Sequence, residues 1–494
     1  MSYIDGEILT FTQNNNEIKL RVYGDEFYAR YESLEGYTAI YDDKLQKFCY
    51  ASLVNGALTS NGIDITSPPP ADLEVHLLEN SVVKNGKFNK KYNELISSES
   101  NPHENNTNKT LGPNKGLLEG RSLAKGNING LTVLVDFQDL KSTVTSDDIN
   151  EMLNGENYKE NGNYCSVNEY FKIISSNQLD YKNTVIGPIT LPNTVEYYKR
   201  NLLVKDALDI IINDLNVDLS AVDSTNSKIV DSINFLYAGR TSYEGNLWPH
   251  NGNANLNYNG YKIDLYMLTS MGRNKSDLSI GTFCHETGHL LLRFPDMYDY
   301  GERDGDNIKS SGIGMYCLMG SGNHLDNGHT PSPVCSYLRE LVGWAPNIIN
   351  LNEINGELSI KHGEYNTICM YSTHSENEYF ILENRTNLNL DKYLPSSGLA
   401  VYHCDTLGSN ELQTGSSNRH YQCALLQADG NSDLENDVNS GDGTDLYSEK
   451  DGVVISGSTN PSSRLWNNSD SGLVISDISS PGSVIKLKIL NKPN

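Results

Sequence analysis

The stretch Leu278-Ser279-Ile280-Gly281-Thr282-Phe283-Cys284-His285-Glu286-Thr287-Gly288-His289-Leu290-Leu291-Leu292 decides how this chain is read. Ile280, Phe283, Cys284, Thr287 and Leu291 recur at helical spacing, which predicts a helix with one face in a core. His285 and His289 lie four residues apart, one turn along the opposite face, so both imidazoles can bind one ion. Glu286 falls about 100° round the helix from His285, where it reaches a water beside the ion rather than the ion itself. Paired imidazoles suit zinc, and the adjacent carboxylate suits a general base and acid for hydrolysis.

Working outward, residues 131–137 (Leu-Thr-Val-Leu-Val-Asp-Phe) read as a strand apolar enough to be buried on both faces. A helix is predicted at about 203–215, where Leu208, Ile211, Ile212 and Leu215 share a stripe. Further strands are expected at 233–238 and 263–268, and strands interleaved with helices indicate an α/β layer. Before this region, residues 8–66 alternate as Ile18, Leu20 and Val22 do against Glu17, Lys19 and Arg21, with frequent turn signals. The prolines at 68–70 end that unit, and residues 97–130 turn polar and poor in aromatics, as a flexible linker does. After about residue 350 the helical signal fades, and alternating runs at 378–382, 398–403 and 485–489 predict a β-rich end domain. The expected domains are thus a β-rich segment 1–96, a linker 97–130, an α/β domain 131–349 and a β-rich domain 350–494.

Lys and Arg total 38 against 63 Asp and Glu, a formal charge of −25. A surface this acidic repels phosphate backbones, which argues against nucleic acid as a partner, and it attracts cations. No apolar run approaches the roughly 20 residues that cross a bilayer. The opening residues 1–7 carry neither the basic nor the apolar stretch of a signal peptide. The eight cysteines (Cys49, Cys165, Cys284, Cys317, Cys335, Cys369, Cys404 and Cys423) form no CxxC pair, and apolar neighbours favour buried thiols over disulfides.

Downstream of the helix come Phe294-Pro295-Asp296-Met297-Tyr298-Asp299-Tyr300, then Gly314-Met315-Tyr316-Cys317-Leu318-Met319-Gly320-Ser321-Gly322, and finally Leu341-Val342-Gly343-Trp344. With these the chain resembles the immune inhibitor A-like family of bacterial metallopeptidases. That family has HExxH, a Pro-Asp after the helix, a Leu-Met-Gly/Ala-Ser-Gly turn and a terminal Gly-Trp. The likeness extends to Gly24–Tyr28 and Glu35–Thr38, to residues 131–139, to Leu247-Trp248-Pro249-His250, and to 378–385, 394–405 and 426–430. It implies a zincin-type α/β catalytic domain with a methionine turn at Met319, a secreted zinc endopeptidase acting on proteins or peptides, and synthesis as a zymogen. It also implies an Asp as third zinc ligand. Asp296 is the choice, although it stands seven residues after His289 where the family has six, and Leu292 occupies the family's Gly position. Asp299 and Glu302 are the alternatives.

Asp218, Asp223 and Asp231 stand where related sequences carry an acidic loop, so calcium is considered there, although Ser224–Lys228 replace most of the expected oxygen ligands. Asp304 and Asp306, in Asp304-Gly305-Asp306-Asn307, serve equally as calcium ligands or as a solvated turn. His250, His324, His329, His403 and His420 are candidates for the cleft, and none is assigned a role. The segment 1–96 is expected to fold back across the cleft and to be released by cutting of the linker, which carries Lys115, Arg121 and Lys125. Steric cover is the expected mechanism, because Cys49 lies between Phe48 and Tyr50 as a packed thiol would. The rival reading is a catalytically idle relative used for binding or adhesion, which an intact Glu286 argues against.

Overall fold

The protein is described by a computed structural model covering residues 4–13, 16–96, 116–301 and 306–490. The described residues form a mixed α/β fold with four sheets. The first is an antiparallel meander of six strands, β1 (Ile4–Gln13), β2 (Asn16–Gly24), β3 (Ala29–Glu32), β4 (Thr38–Asp42), β5 (Lys47–Val54) and β6 (Ala57–Asp64). The alternation read from 17–22 places Ile18, Leu20 and Val22 on its buried face with Phe11 and Phe48. A helix the sequence reading did not anticipate, α1 (Ser81–Ile96), follows the meander.

The second sheet is built on β7 (Gly126–Asp136), which begins five residues before the expected strand because residues 126–130 continue its pairing with β8. Helices α2 (Ser146–Asn154) and α3 (Val167–Ile174) lead to β8 (Leu179–Thr190). Each helix starts at a capping box, from Thr145 and Ser166, which satisfies amides that the first turn leaves unpaired. Then come α4 (Val195–Arg200), α5 (Val204–Asp209), β9 (Ile233–Tyr237), β10 (His250–Tyr258) and β11 (Tyr261–Ser270). The predicted 203–215 helix ends its α-helical part at Asp209 and continues as a π-helical turn through Asp214. The strand order is β10-β11-β9-β7-β8, with β10 as the single antiparallel member at one edge. Helix α6 (Gly281–Leu290) packs on β11 and β10, and α7 (Ser336–Leu341) follows.

The remaining strands are β12 (Asn347–Asn350), β13 (Asn355–Lys361), β14 (Thr367–Ser372), β15 (Glu378–Arg385), β16 (Gly398–Asp405), β17 (Cys423–Leu425), β18 (Lys450–Ile455), β19 (Ile475–Ile478) and β20 (Val484–Leu490). They form the sheets β12-β14-β15-β16-β17 and β13-β20-β19-β18. Strand β15 is buried along its whole length. Tyr379 and Ile381 face the core around α6, and Phe380 and Leu382 face the four-stranded sheet. The β-rich end is therefore packed against the α/β layer through one face of its larger sheet.

The expected linker of 97–130 is not extended over its second half. Within residues 116–125, Leu118 N–H donates to Arg293 O and Leu123 N–H to Leu291 O, both at 2.8 Å. Ser122 Oγ donates to Leu292 O, and Trp344 Nε1 donates to Ala124 O. Arg121 pairs with Asp231 at 2.9 Å. Of the expected cutting points, Arg121 thus lies in hydrogen-bonded chain, Lys125 is exposed at its end, and Lys115 lies outside the described residues. All eight cysteines are buried free thiols. No helix among the described residues is long and apolar enough to cross a membrane.

Candidate metal centre

Helix α6 is almost wholly interior: Phe283–Leu290 are all buried. Gly288 lets residue 319 approach, because a Cβ there would meet Met319 Sδ at 2.5 Å. Met319 thereby packs against the helix at Gly288, and its carbonyl accepts from Met297 N–H, tying residue 319 to the segment that carries Asp296.

His285 Nδ1 lies 2.8 Å from Leu318 O and His289 Nδ1 2.7 Å from Phe294 O. A carbonyl only accepts, so each Nδ1 carries the ring proton and each Nε2 presents a lone pair. These Nε2 atoms face each other at 3.2 Å. Asp296 Oδ1 lies 3.3 Å from one and 3.2 Å from the other, buried and with no donor directed at it. Three lone-pair donors converging in a buried site repel one another unless a cation sits among them. The three ligand atoms all fall within 4.8 Å of one another, a separation that suits a shared ion. His285, His289 and Asp296 are thus a candidate metal-binding group.

The turn after α6 explains how a seven-residue spacing delivers Asp296. Leu292 does not take the left-handed conformation; Arg293 does, at φ +62°. An arginine held there is strained. Its Nε donates to Glu119 O at 2.7 Å and its Nη1 to His289 O at 3.0 Å, so the 116–125 strap secures the turn. Asp299 is led elsewhere: its carboxylate accepts from Gly301 N–H and Gln413 Nε2, and its backbone bridges Ser310. Glu302 lies outside the described residues.

Several residues that complete the centre were not found by motif. Tyr300 Oη donates to Asp296 Oδ2, Tyr298 Oη is 3.0 Å from Tyr300 Oη, and Asp296 N–H donates to Glu411 at 2.9 Å. Burial and the Asp296 charge push the Tyr300 phenol well above its usual range, so it remains a donor. Asn251, on edge strand β10, donates through Nδ2 to both the carboxylate and the backbone carbonyl of Glu286. The only sequence signals for Asn251 and Tyr300 were their places beside His250 and in the Asp296–Tyr300 run.

Of the other histidines, His250 is bonded to Trp248 O and Tyr266 Oη, and burial lowers its pKa to about 4. His324 lies near His285 and is lowered to about 4, by burial first and that neighbour second. His329 Nδ1 bonds Asp326 O, while His403 and His420 stack on Trp466, bonded to Glu378 and Asp405.

The acidic loop considered for calcium is satisfied internally. Asp218 accepts from Ser220, Asp223 from Ser227 N–H and Lys228 N–H, and Asp231 pairs with Arg121. The structure does not bring these three together as a ligand set, because protein donors and a guanidinium take the place of a cation. Asp306 accepts from Ile308 N–H, and Asp304 lies outside the described residues.

Comparison with protein-family models and with curated proteins finds no match for this chain.

Proposed function

We propose that this chain is a zinc-dependent endopeptidase of the zincin type, related to the immune inhibitor A-like family and made in a latent form. The observation that carries the reading is the convergence of His285 Nε2, His289 Nε2 and Asp296 Oδ1 beside a buried Glu286. Zinc held by these three groups would supply Lewis acidity to polarise a peptide carbonyl and ease loss of a proton from the attacking water. Glu286, oriented by Asn251, accepts that proton and delivers it to the leaving amine. Tyr300 and Glu411 hold Asp296 in place. Among the described residues strand β10 pairs on one side only, with β11, so that edge suits an extended peptide laid alongside it as a further strand.

The N-terminal segment supports latency. Helix α1 packs on β10, and Phe27 is buried in an aromatic cluster with Phe88, Tyr298 and Tyr300. Trp248, just before β10, belongs to the core of the six-stranded meander. Substrate and segment 4–96 therefore compete for one surface. The test of the activity is Glu286→Ala, which should retain about one zinc per chain yet lose about 10²–10⁴-fold in casein hydrolysis. A variant cutting at the wild-type rate would sink the reading.

A further inference from the structure

Two pairs of thiols meet in the core around α6. Cys335 N–H donates to Cys317 Sγ at 3.4 Å, and Cys404 Sγ lies 3.9 Å from Cys423 Sγ. Cys404 and Cys423 are register partners on the neighbouring antiparallel strands β16 and β17. Asp405 N–H donates to Gln422 O and Leu426 N–H to Val401 O, both at 2.9 Å, so 405/422 and 401/426 are hydrogen-bonded pairs. Antiparallel pairing alternates, which makes Cys404/Cys423 a non-hydrogen-bonded pair. The contacts of Asn410 agree: its side chain accepts from Cys423 N–H at 3.0 Å and donates to Cys423 O at 2.9 Å, so both groups point away from β16. At such a pair the Cα atoms stand about 4.5 Å apart and the side chains draw close. Disulfide-bonded cysteines have Cα atoms roughly 4.4–6.8 Å apart, so this backbone already suits a bond. Cys317 and Cys335 have no such strand register to align them.

We propose that Cys404 and Cys423 are oxidised to a disulfide that staples β16 to β17. The bond forms by exchange with an external disulfide. One protein thiolate attacks that disulfide and expels a thiolate; the second protein thiolate then attacks the mixed disulfide and expels the other. Two protein thiols are oxidised, the external disulfide is reduced to two thiols, and the protons end on those leaving groups. Cys404 and Cys423 are both 0% exposed, and burial pushes both thiols above their ordinary range, so the folded chain keeps them protonated and out of reach. Exchange therefore belongs to the folding chain, before β17 docks. The staple closes the base of a loop that serves the metal centre. Residues 406–422 carry Glu411, which accepts from Asp296 N–H, and Gln413, which donates to Asp299. Asn410, on the same loop, also donates to Met297 O. Joining Cys404 to Cys423 braces the loop that holds the 296–299 segment, whatever reaction that centre performs.

The test expresses the full chain in parallel in an oxidising and a reducing compartment, unfolds each sample in the presence of an alkylating reagent, and maps peptides by mass spectrometry. Trypsin cuts after Arg419 and so separates the two cysteines. The oxidised sample should contain their two peptides joined, lighter by two hydrogens than the pair, and a reductant should release them. Cys335 should take the label in both samples, and Cys404→Ser should leave Cys423 labelled. Hydrogen exchange in 406–422 should be slower in the oxidised wild type than in the reduced. Label on both Cys404 and Cys423 of the oxidised sample, or a bond from either of them to Cys335, overturns the proposal. Equal exchange in the two forms overturns the bracing of the loop. Should the serine variant fail to fold, the peptide map of the wild type decides alone.

Discussion

Asn251 holds Glu286 at two points, its side-chain amide donating to the carboxylate and, at 2.9 Å, to the carbonyl of the same residue. The pairing joins edge strand β10 to helix α6 and sets where the candidate base points. Asn251→Ala should therefore keep zinc, which Glu286 does not hold, and lower kcat on casein by about 10–100-fold, the range for an orienting partner. Wild-type kcat, or loss of zinc with kcat, would show that Asn251 does not act through Glu286.

Asp296 and Asp299 differ by three positions but face different partners. Asp296→Ala should strip the metal, measured by zinc content after dialysis against a weak chelator. Asp299→Ala should retain it. Tyr300→Phe removes the hydroxyl donated to Asp296 and should weaken zinc affinity by about 10–100-fold. Equal zinc retention in Asp296→Ala and wild type would remove Asp296 from the ligand set.

Release of the N-terminal segment should begin between residues 97 and 115. The flanking chain is protected: α1 packs on β10, and residues 116–125 are hydrogen-bonded to 291–293 and to Trp344. Mass spectrometry of timed digests should find the first cut at Lys115 or before it, not after Arg121, with activity rising as the fragment leaves. An early cut after Arg121, or full activity in uncut chain, contradicts this.

Phe27 is the anchor of that cover, 7% exposed and in edge contact with Phe88 and Tyr300. Truncating a buried phenylalanine costs about 3–5 kcal/mol. Phe27→Ala should loosen the segment and raise the activity of the uncut chain while leaving that of the trimmed enzyme unchanged. No gain before cutting would mean that the cover is held elsewhere.

His250 makes stability fall in acid. Its folded pKa is lowered to about 4 by burial, with Lys91 adding to that effect and Trp248 O and Glu286 opposing it. A depressed pKa contributes stability above the unfolded value of 6.5, and this is lost as pH falls through about 4. The contribution is about 3 kcal/mol at most. Thermal midpoints of His250→Gln should decline less between pH 7 and pH 4 than those of the wild type; parallel declines would show that other groups govern the acid limb.

What the sequence determined by itself was local. Four-residue spacing puts His285 and His289 on one helical face, and period-two alternation places Ile18, Leu20 and Val22 on one face of a strand; both follow from backbone geometry alone. The β15 and β16 runs were legible as strands, but not that both faces are buried, since that depends on two sheets distant in sequence. The choice between Asp296 and Asp299 rested on a turn whose left-handed residue proved to be Arg293, held by a strap 170 residues earlier that composition marked as linker. Asn251 and Tyr300 carry no spacing signal that joins them to their partners. Only the tertiary structure decided these, because a side chain's neighbours across the chain are set by how whole elements pack, which no local period encodes.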